Sequence, residues 1–282
     1  MAGQRTTPHD NELHRYFAGE ALYGDDFRAD EIRQWFEDER EGYANLGAKN
    51  RDDYRYAYHQ LNTMHAYQHL GDMRFDSALG IGSAYGDEFQ PIAGRIENLT
   101  ILEASEALSK GRVVHGIPCR YVAPDESGDL PFESGSFDLI TSFGVLHHIP
   151  NVTHVINECG RVLADSGVML LREPIVSMGD WRNPRHGLTR HERGIPLHLL
   201  REMVGKAGFR VERATLCVFP PLTIICRYLG ISPYLSRVAV ATDAMLCRLF
   251  RWNLRYHATA KWHKVRPTAV FYVLVKSQTF ER

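Results

Sequence analysis

Two short segments carry residue types that bind a nucleoside. Gly80 and Gly82 follow the apolar run 75–79, and glycines allow a backbone turn to pass close to a ligand at the carboxyl edge of a sheet. About twenty residues later the apolar run 99–102 ends in Glu103, whose oxygens can accept hydrogen bonds from both hydroxyls of a ribose. Either feature alone fits an ordinary turn, but the pair predicts a nucleoside site.

The segment after the glycine turn bears on which nucleoside would bind. A nicotinamide dinucleotide needs a helix N-terminus directed at its pyrophosphate. Pro91 and Gly94 limit the helix after the turn to about two turns. This argues against a nucleotide-dependent oxidoreductase, which stays an alternative.

The stretch LPFESGSFDLITSFGVLHHIP, residues 130–150, resembles the class I S-adenosylmethionine-dependent methyltransferases, in particular the methyltransferase type 11 group. The resemblance covers about residues 75–175. It implies an α/β fold with a Rossmann-like, mostly parallel sheet and helices on both faces. It also implies S-adenosyl-L-methionine as the cofactor.

The resemblance assigns eight residues to the cofactor. The glycine turn would contact the methionine part of the cofactor, and the acid at the end of the second strand would bind its ribose. The loop near 126 would contact the adenine, and the end of the fourth strand would line the pocket. These residues are Gly80, Gly82, Ser83, Glu103, Glu126, Ser127, Ser142 and Phe143. One position departs from the family, because Ala78 stands where an acid usually helps to hold the cofactor's amino group. Asp76 or a group from the N-terminal segment is expected to compensate.

The candidate bases follow predicted strand ends. Methyl transfer from a sulfonium requires alignment of the reactants and, for a hydroxyl acceptor, removal of a proton. His147 and His148 follow the fourth strand and Glu173 ends the fifth; His148 or Glu173 is the preferred base, although the histidines also fit a strand-end cap. A metal site built from Glu173, Asp180 and His186 lacks diagnostic spacing, and no metal is predicted.

The loop 178–193 is rich in arginine and histidine and carries a tryptophan. Arginine forks grip phosphates or carboxylates and an indole stacks on a sugar face, so the loop is a candidate acceptor clamp. A solvated surface loop is the alternative. The substrate-binding candidates are Trp181, Arg182, Arg185 and His186.

The N-terminal segments 22–27 and 39–44 look like those of bacterial methyltransferases from surface-glycan pathways. The predicted reaction is therefore O-methylation of a sugar in a bacterial glycan or its precursor. Another small-molecule metabolite is the first alternative as acceptor. A catalytically inactive binding subunit is a further alternative, because Ala78 departs from the family.

Composition limits the partners. Lys and Arg number 33 and Asp and Glu 34 in 282 residues, which leaves no general basic field for nucleic acid. The five cysteines form no CxxC pair, the N-terminus lacks an apolar signal core, and no apolar run is long enough to cross a membrane. These features favour a cytoplasmic protein with reduced thiols.

The hydrophobic pattern divides the chain into a helical cap over 1–70 and a methyltransferase domain over 71–282. Seven strands are predicted, near 75–80, 99–103, 119–122, 137–142, 167–172, 209–217 and 268–276. A helical insertion over about 218–266 combines cations with aromatic residues. It is predicted either to pack on its own domain or to contact a membrane peripherally.

Overall fold

The computed structural model describes residues 8–45, 51–52, 54–109, 111–181 and 183–277. Three helices come first: α1 (Pro8–Ala18), α2 (Ala29–Glu39) and α3 (His59–His65). Later helices are α4 (Val152–Val162), α5 (Leu197–Lys206), α6 (Pro220–Tyr228) and α7 (Arg237–Leu249). Among the described residues, no helix has both the length and the apolar character that crossing a membrane requires.

One mixed sheet organises the rest of the fold. Its strands are β1 (Phe75–Ile81), β2 (Ile96–Leu102), β3 (Val113–Val114), β4 (Ile117–Val122), β5 (Phe137–Phe143), β6 (Leu163–Pro174), β7 (Phe209–Cys217) and β8 (Ala269–Lys276). They lie in the order β3-β4-β2-β1-β5-β6-β8-β7. The predicted count of seven is therefore wrong, because the sheet has an eighth strand, the two-residue β3, paired antiparallel with β4.

The strand order creates a crevice at one edge of the sheet. β1 pairs in parallel with β2 on one side and β5 on the other, so the connections leave β1 in opposite directions. Open α/β sheets bind ligands at such a switch point, beyond the carboxyl ends of the strands. β8 runs antiparallel to both β6 and β7, and the parallel part of the sheet ends at β6.

Alternation along the strands separates two apolar cores. In β5, Leu139 packs with the core that includes α3 residues, whereas Ile140 packs with the core around α4. The same alternation sends Arg172 and Glu173, adjacent on β6, to opposite faces of the sheet. Two neighbouring charged residues therefore reach different parts of the crevice.

The segment before the sheet packs on the turn that follows β5. Asp25 accepts hydrogen bonds from the backbone N–H of Thr153 at 2.8 Å and from its hydroxyl at 2.6 Å, and so satisfies an otherwise free amide in the first turn of α4. The indole of Trp35 donates to the carbonyl of His148 at 2.6 Å. These contacts place α2 against the carboxyl edge of the sheet.

Candidate active site

A cavity of about 750 Å³ lies beyond the carboxyl ends of β1, β2, β5 and β6. Its wall combines the glycine turn, the strand-end acids, the turn after β5 and aromatic residues from α2 and the segment before α3. Ligand pockets usually measure roughly 300–1,000 Å³. The cavity therefore has room for a nucleoside and a small second molecule.

The glycine turn permits the close approach that the sequence predicts. Gly82 lines the cavity with a φ of +60°, and an added Cβ would lie 2.6 Å from a methyl carbon of Val145. Gly80 does not line the cavity; its added Cβ would lie 2.3 Å from the hydroxyl oxygen of Ser83. Ser83 does line it. Gly80 thus serves packing beneath the turn, while Gly82 and Ser83 face the crevice.

Glu103 directly follows the last residue of β2, at the carboxyl edge of the sheet. Its Oε2 accepts from the N–H of Ala84 at 3.0 Å and its Oε1 from the N–H of Ser105 at 3.1 Å. Burial raises the pKa of Glu103, against the effect of these amides. Each oxygen keeps a lone pair after one such bond. The carboxylate lines the cavity and can therefore accept from two further hydroxyls.

The other predicted cofactor residues separate into two groups. Glu126 and Phe143 line the cavity, and Glu126 pairs with Arg33 at 2.9 Å. Ser127 is exposed and Ser142 is fully buried, and neither lines it. The hydroxyl of Ser142 bonds no group in the part of the chain that the structure describes.

A buried carboxylate that the sequence analysis missed lies beside the glycine turn. Glu88 lines the cavity, and its Oε1 accepts from the hydroxyls of Ser83 at 2.9 Å and Thr141 at 2.5 Å. Burial raises the pKa of Glu88 to about 7. Asp76, which was expected to compensate for the acid absent at Ala78, is exposed near the opposite end of β1 and does not line the cavity.

Arg172 brings a buried positive charge to the same part of the cavity. Its guanidinium donates to the Asn62 side-chain oxygen and to the Phe143 carbonyl, both at 3.2 Å, and lies 4.1 Å from the centre of the Tyr58 ring. No carboxylate in the described residues lies within ion-pair distance of it. A buried cation without a carboxylate is costly unless a ligand supplies the anion.

Glu173 and His147 hold the turn after β5 in place through buried hydrogen bonds. Glu173 is fully buried, and it accepts from the N–H groups of Val145 at 3.0 Å and Leu146 at 2.9 Å and from His147 Nδ1 at 2.9 Å. The second ring nitrogen of His147 lies 3.4 Å from Glu192. Burial opposes protonation of His147, but the two carboxylates outweigh it and raise its pKa to about 9. An imidazolium bonded at both nitrogens cannot accept a proton.

His148 has the opposite electrostatic character. Its Nδ1 lies 3.0 Å from a carboxylate oxygen of Glu39 and 3.1 Å from the hydroxyl of Thr189. Burial and the positive charge of His147 lower the pKa of His148, which keeps the ring neutral at pH 7. A proton on Nδ1, donated to Glu39, leaves Nε2 as the acceptor. His148 lines the cavity, where a neutral imidazole can accept a proton.

The comparisons with known proteins agree with this geometry. Residues 79–171 match the model of a methyltransferase domain. Over 143 residues the chain is 31% identical to a probable S-adenosylmethionine-dependent methyltransferase of Mycolicibacterium smegmatis. Residues 79–171 are therefore similar to a class I methyltransferase domain. Its cofactor is S-adenosyl-L-methionine. The match covers 50% of the chain and 53% of the relative, so the chain spans about half the length of the curated relative it matches.

Two solved structures share the architecture of the methyltransferase domain. A chain of the complex between the Haloferax volcanii Trm112 methyltransferase activator and a methyltransferase is 14% identical, with a TM-score of 0.51 over 88% of this chain and 98% of that chain. Haemonchus contortus phosphoethanolamine N-methyltransferase 2, bound to phosphomonomethylethanolamine and S-adenosylhomocysteine, is 16% identical. Its TM-score is 0.51, over 77% of this chain and 52% of that chain. At these identities the likeness concerns the fold.

Of the predicted acceptor-clamp residues, the three that the structure describes do not line the cavity. Trp181 is buried, and its ring stacks on Phe17 at 4.7 Å and on Tyr23 at 5.1 Å. Arg185 donates to the carbonyls of four residues of its own loop region. His186 is exposed, neither it nor Arg185 lines the cavity, and Arg182 lies outside the described residues. Composition suggested a clamp, but Trp181 packs in the interior and Arg185 braces its own loop.

A group able to hold a metal ion differs from the one considered from sequence. His147, His148 and Glu192 each offer a ligand atom, all within 4.8 Å of one another. Asp180 and His186 do not join such a group with Glu173 among the described residues. In the present arrangement the His147–Glu192 contact is an ion pair.

Proposed function

We propose that the protein is an S-adenosylmethionine-dependent O-methyltransferase whose acceptor is a sugar of a bacterial glycan or of its precursor. The observation that carries the proposal is the position of His148, whose Nδ1 lies 3.0 Å from Glu39, in the same cavity as the glycine turn and Glu103. A hydroxyl acceptor needs such a base, because its proton must leave as the oxygen is methylated.

The charged side chains of the cavity complement the polar and charged groups of the cofactor. Glu103 would accept from the ribose hydroxyls. The amino acid part of the cofactor is a zwitterion, and the cavity offers Glu88 for its ammonium and Arg172 for its carboxylate. Both side chains are buried, line the cavity and make no ion pair with each other. A ligand with both charges therefore compensates both, which supports Glu88 as the substitute for the acid absent at Ala78.

The bound cofactor supplies an electrophilic methyl group on a sulfonium. The turn after β5 would position the acceptor, because Glu173 fixes the backbone amides of Val145 and Leu146. His148 Nε2 would take the hydroxyl proton as the oxygen–methyl bond forms, and Glu39 would stabilise the resulting imidazolium. Such a positioned base contributes about 10²–10⁴-fold to a rate.

The wall opposite the sheet supports a sugar as acceptor. It includes aromatic side chains, whose faces can stack on sugar rings and whose phenols can bond hydroxyls; the rings of Trp35 and Tyr58 already stack on His191 and Tyr234, which leaves the stacking to the others. The aromatic residues of this wall are Trp35, Phe36, Tyr43, Tyr54, Tyr56 and Tyr58. Another hydroxyl-bearing metabolite fits the same chemistry and is the second candidate.

The experiment couples binding with turnover. Calorimetry should detect S-adenosylmethionine and S-adenosylhomocysteine but not NAD, and labelled methyl should be transferred into a glycan fraction rather than a small-molecule extract. Tight NAD binding would indicate an oxidoreductase. Cofactor binding without transfer into either fraction would indicate an inactive binding subunit.

Two variants test the base. His148→Gln should lower kcat about 10²–10⁴-fold without changing the affinity for S-adenosylhomocysteine. Glu39→Gln should lower kcat less, because the neutral amide can still orient the ring but stabilises its charge poorly. A His148→Gln enzyme with normal kcat would exclude His148 as the proton acceptor.

A further inference from the structure

The chain between β7 and β8 exposes an unusual amount of apolar surface. Eleven of the fourteen large hydrophobic side chains that are exposed in the described residues lie between 224 and 262. Tyr228 is 84% exposed, Val238 77%, and Leu229 and Trp252 67% each. Single exposed hydrophobic residues are ordinary, but contiguous apolar surface usually marks a contact site. This surface, from α6 to the 3-10 helix at 261–264, is called the 224–264 surface.

Helix α7 shows that the exposure follows a pattern. Val240, Asp243 and Cys247 are buried on one side of the helix. Val238 and Leu249 are exposed on the other side. A surface helix normally presents polar residues to water on that side. The outer stripe of α7 is therefore apolar like its inner one, as in a helix that meets a second apolar phase.

The charges around this stripe have one sign. The exposed cations of the surface are Arg227, Arg237, Arg248, Arg251, Lys261 and Lys264, and none forms an ion pair with a described carboxylate. The one acid between 214 and 280 is Asp243. It is buried and accepts from the N–H groups of Val218 and Phe219 at 2.9 and 2.8 Å. The surface is thus basic in a chain whose formal net charge is −1.

We propose that the 224–264 surface docks on an anionic lipid bilayer. Helices whose apolar stripe is bordered by Lys and Arg lie in the interface of such a bilayer, with the apolar side chains below the headgroups and the cations among them. Trp252 and Trp262 are exposed beside the cations, and indoles favour the headgroup level. The positive charge selects a negatively charged lipid surface over a second copy of the chain, which would bring like charges together.

The segment that carries this surface also packs against the cavity wall. Tyr234, in the 3-10 helix between α6 and α7, stacks on Tyr58 with ring centres 5.4 Å apart, and Tyr58 lines the cavity. Val218 and Thr268, at the two ends of the connection, also line it. The segment that docks is therefore joined by direct packing to the wall of the cavity.

Vesicle sedimentation tests the proposal with the full chain. The protein should bind vesicles of phosphatidylcholine mixed with phosphatidylglycerol, bind phosphatidylcholine vesicles more weakly, and dissociate as salt screens the charges. Replacing Arg248 and Arg251 by Gln should lower partitioning about 30-fold, from about 1 kcal/mol for each cation. Equal binding to both vesicle types, or none to either, would overturn the proposal.

A matched pair of substitutions tests the apolar stripe. Val238→Glu should lower partitioning by about tenfold or more, because it removes an aliphatic side chain that would enter the lipid and adds a negative charge. Val113→Glu, at a valine on β3 that is 64% exposed and distant in sequence from the surface, should leave partitioning unchanged. Circular dichroism and S-adenosylhomocysteine affinity establish that both variants are folded.

Two further outcomes would refute lipid docking. If Val113→Glu lowers partitioning as much as Val238→Glu, the 224–264 surface is not the contact. If light scattering shows a dimer that Val238→Glu dissociates, and lipid binding is absent, the surface joins two copies of the chain instead.

Discussion

Replacement of Glu88 by Gln tests the assignment of the cofactor's amino group. The change removes a buried negative charge and keeps the shape of the side chain, which is 4% exposed. The amide oxygen can still accept from the hydroxyls of Ser83 and Thr141. Loss of the charge should therefore weaken one end of the cofactor contact without collapsing the turn.

The binding effect follows from the type of hydrogen bond lost. A hydrogen bond to a charged group is worth about 1.5–3 kcal/mol, so affinity for S-adenosylhomocysteine should fall about 10- to 150-fold in calorimetry at pH 8. 5′-Methylthioadenosine lacks the amino acid end and should bind Glu88→Gln and the wild type equally. The wild-type affinity for S-adenosylhomocysteine should itself decline below pH 7, as Glu88 takes up a proton.

The stability effect has the opposite sign. Burial raises the pKa of Glu88 from 4.5 to about 7, so between these pH values the folded protein keeps a proton that the unfolded chain has lost. This group's contribution to the free energy of unfolding therefore falls across that window by about 3 kcal/mol and then stays constant. Glu88→Gln should lack the fall, and its stability relative to wild type should rise by about that amount between pH 4.5 and 8 in denaturant titrations.

The control and the refuting results are distinct. Glu97→Gln makes the same chemical change at an exposed position on β2 and should alter neither measurement. Unchanged affinity for S-adenosylhomocysteine in Glu88→Gln would exclude Glu88 from the ammonium site. Equal losses for S-adenosylhomocysteine and 5′-methylthioadenosine would mean that the substitution disturbs the whole crevice.

Three further predictions concern Glu103, His147 and Trp181. Glu103→Gln should weaken cofactor binding by about 1–3 kcal/mol in calorimetry, because a ribose hydroxyl loses its acceptor; unchanged affinity would remove Glu103 from the site. His147→Ala should lower the free energy of unfolding at pH 7 more than at pH 10, since the ion-pair stabilisation is complete below pH 6.5 and is lost as pH rises through about 9; denaturant titrations with equal losses at both pH values would contradict this. Trp181→Ala should cost about 3–5 kcal/mol of stability and leave the acceptor KM unchanged, whereas a raised KM in a stable variant would restore its role as a clamp.

The sheet was largely predictable because its signals are local. Each long strand carries an apolar run between turn residues, and the 75–86 and 130–150 segments hold their patterns within about twenty residues. β3 escaped prediction because two residues, Val113 and Val114, are too short to show a period. Its place in the sheet depends on pairing with β4.

The site was only partly predictable because several of its pairs are remote in sequence. Glu39 meets His148 across 109 positions and Glu88 meets Thr141 across 53, and one sequence does not record such pairs. Trp181 was assigned to the acceptor from the composition of its loop. Its burial is decided by Phe17 and Tyr23, from the first part of the chain.

The sequence separation between Glu39 and His148 has a consequence for how the protein folds. Closing a contact over so many residues carries an entropic cost like that of pairing Val168 on β6 with Val275 on β8, so the contact between α2 and His148 is expected to form late, together with that end of the sheet. A molecule that has not completed that step would already have Glu103 in position but would lack an oriented His148. Partly folded molecules would then bind the methyl donor without transferring its methyl group, and only fully folded ones would be active.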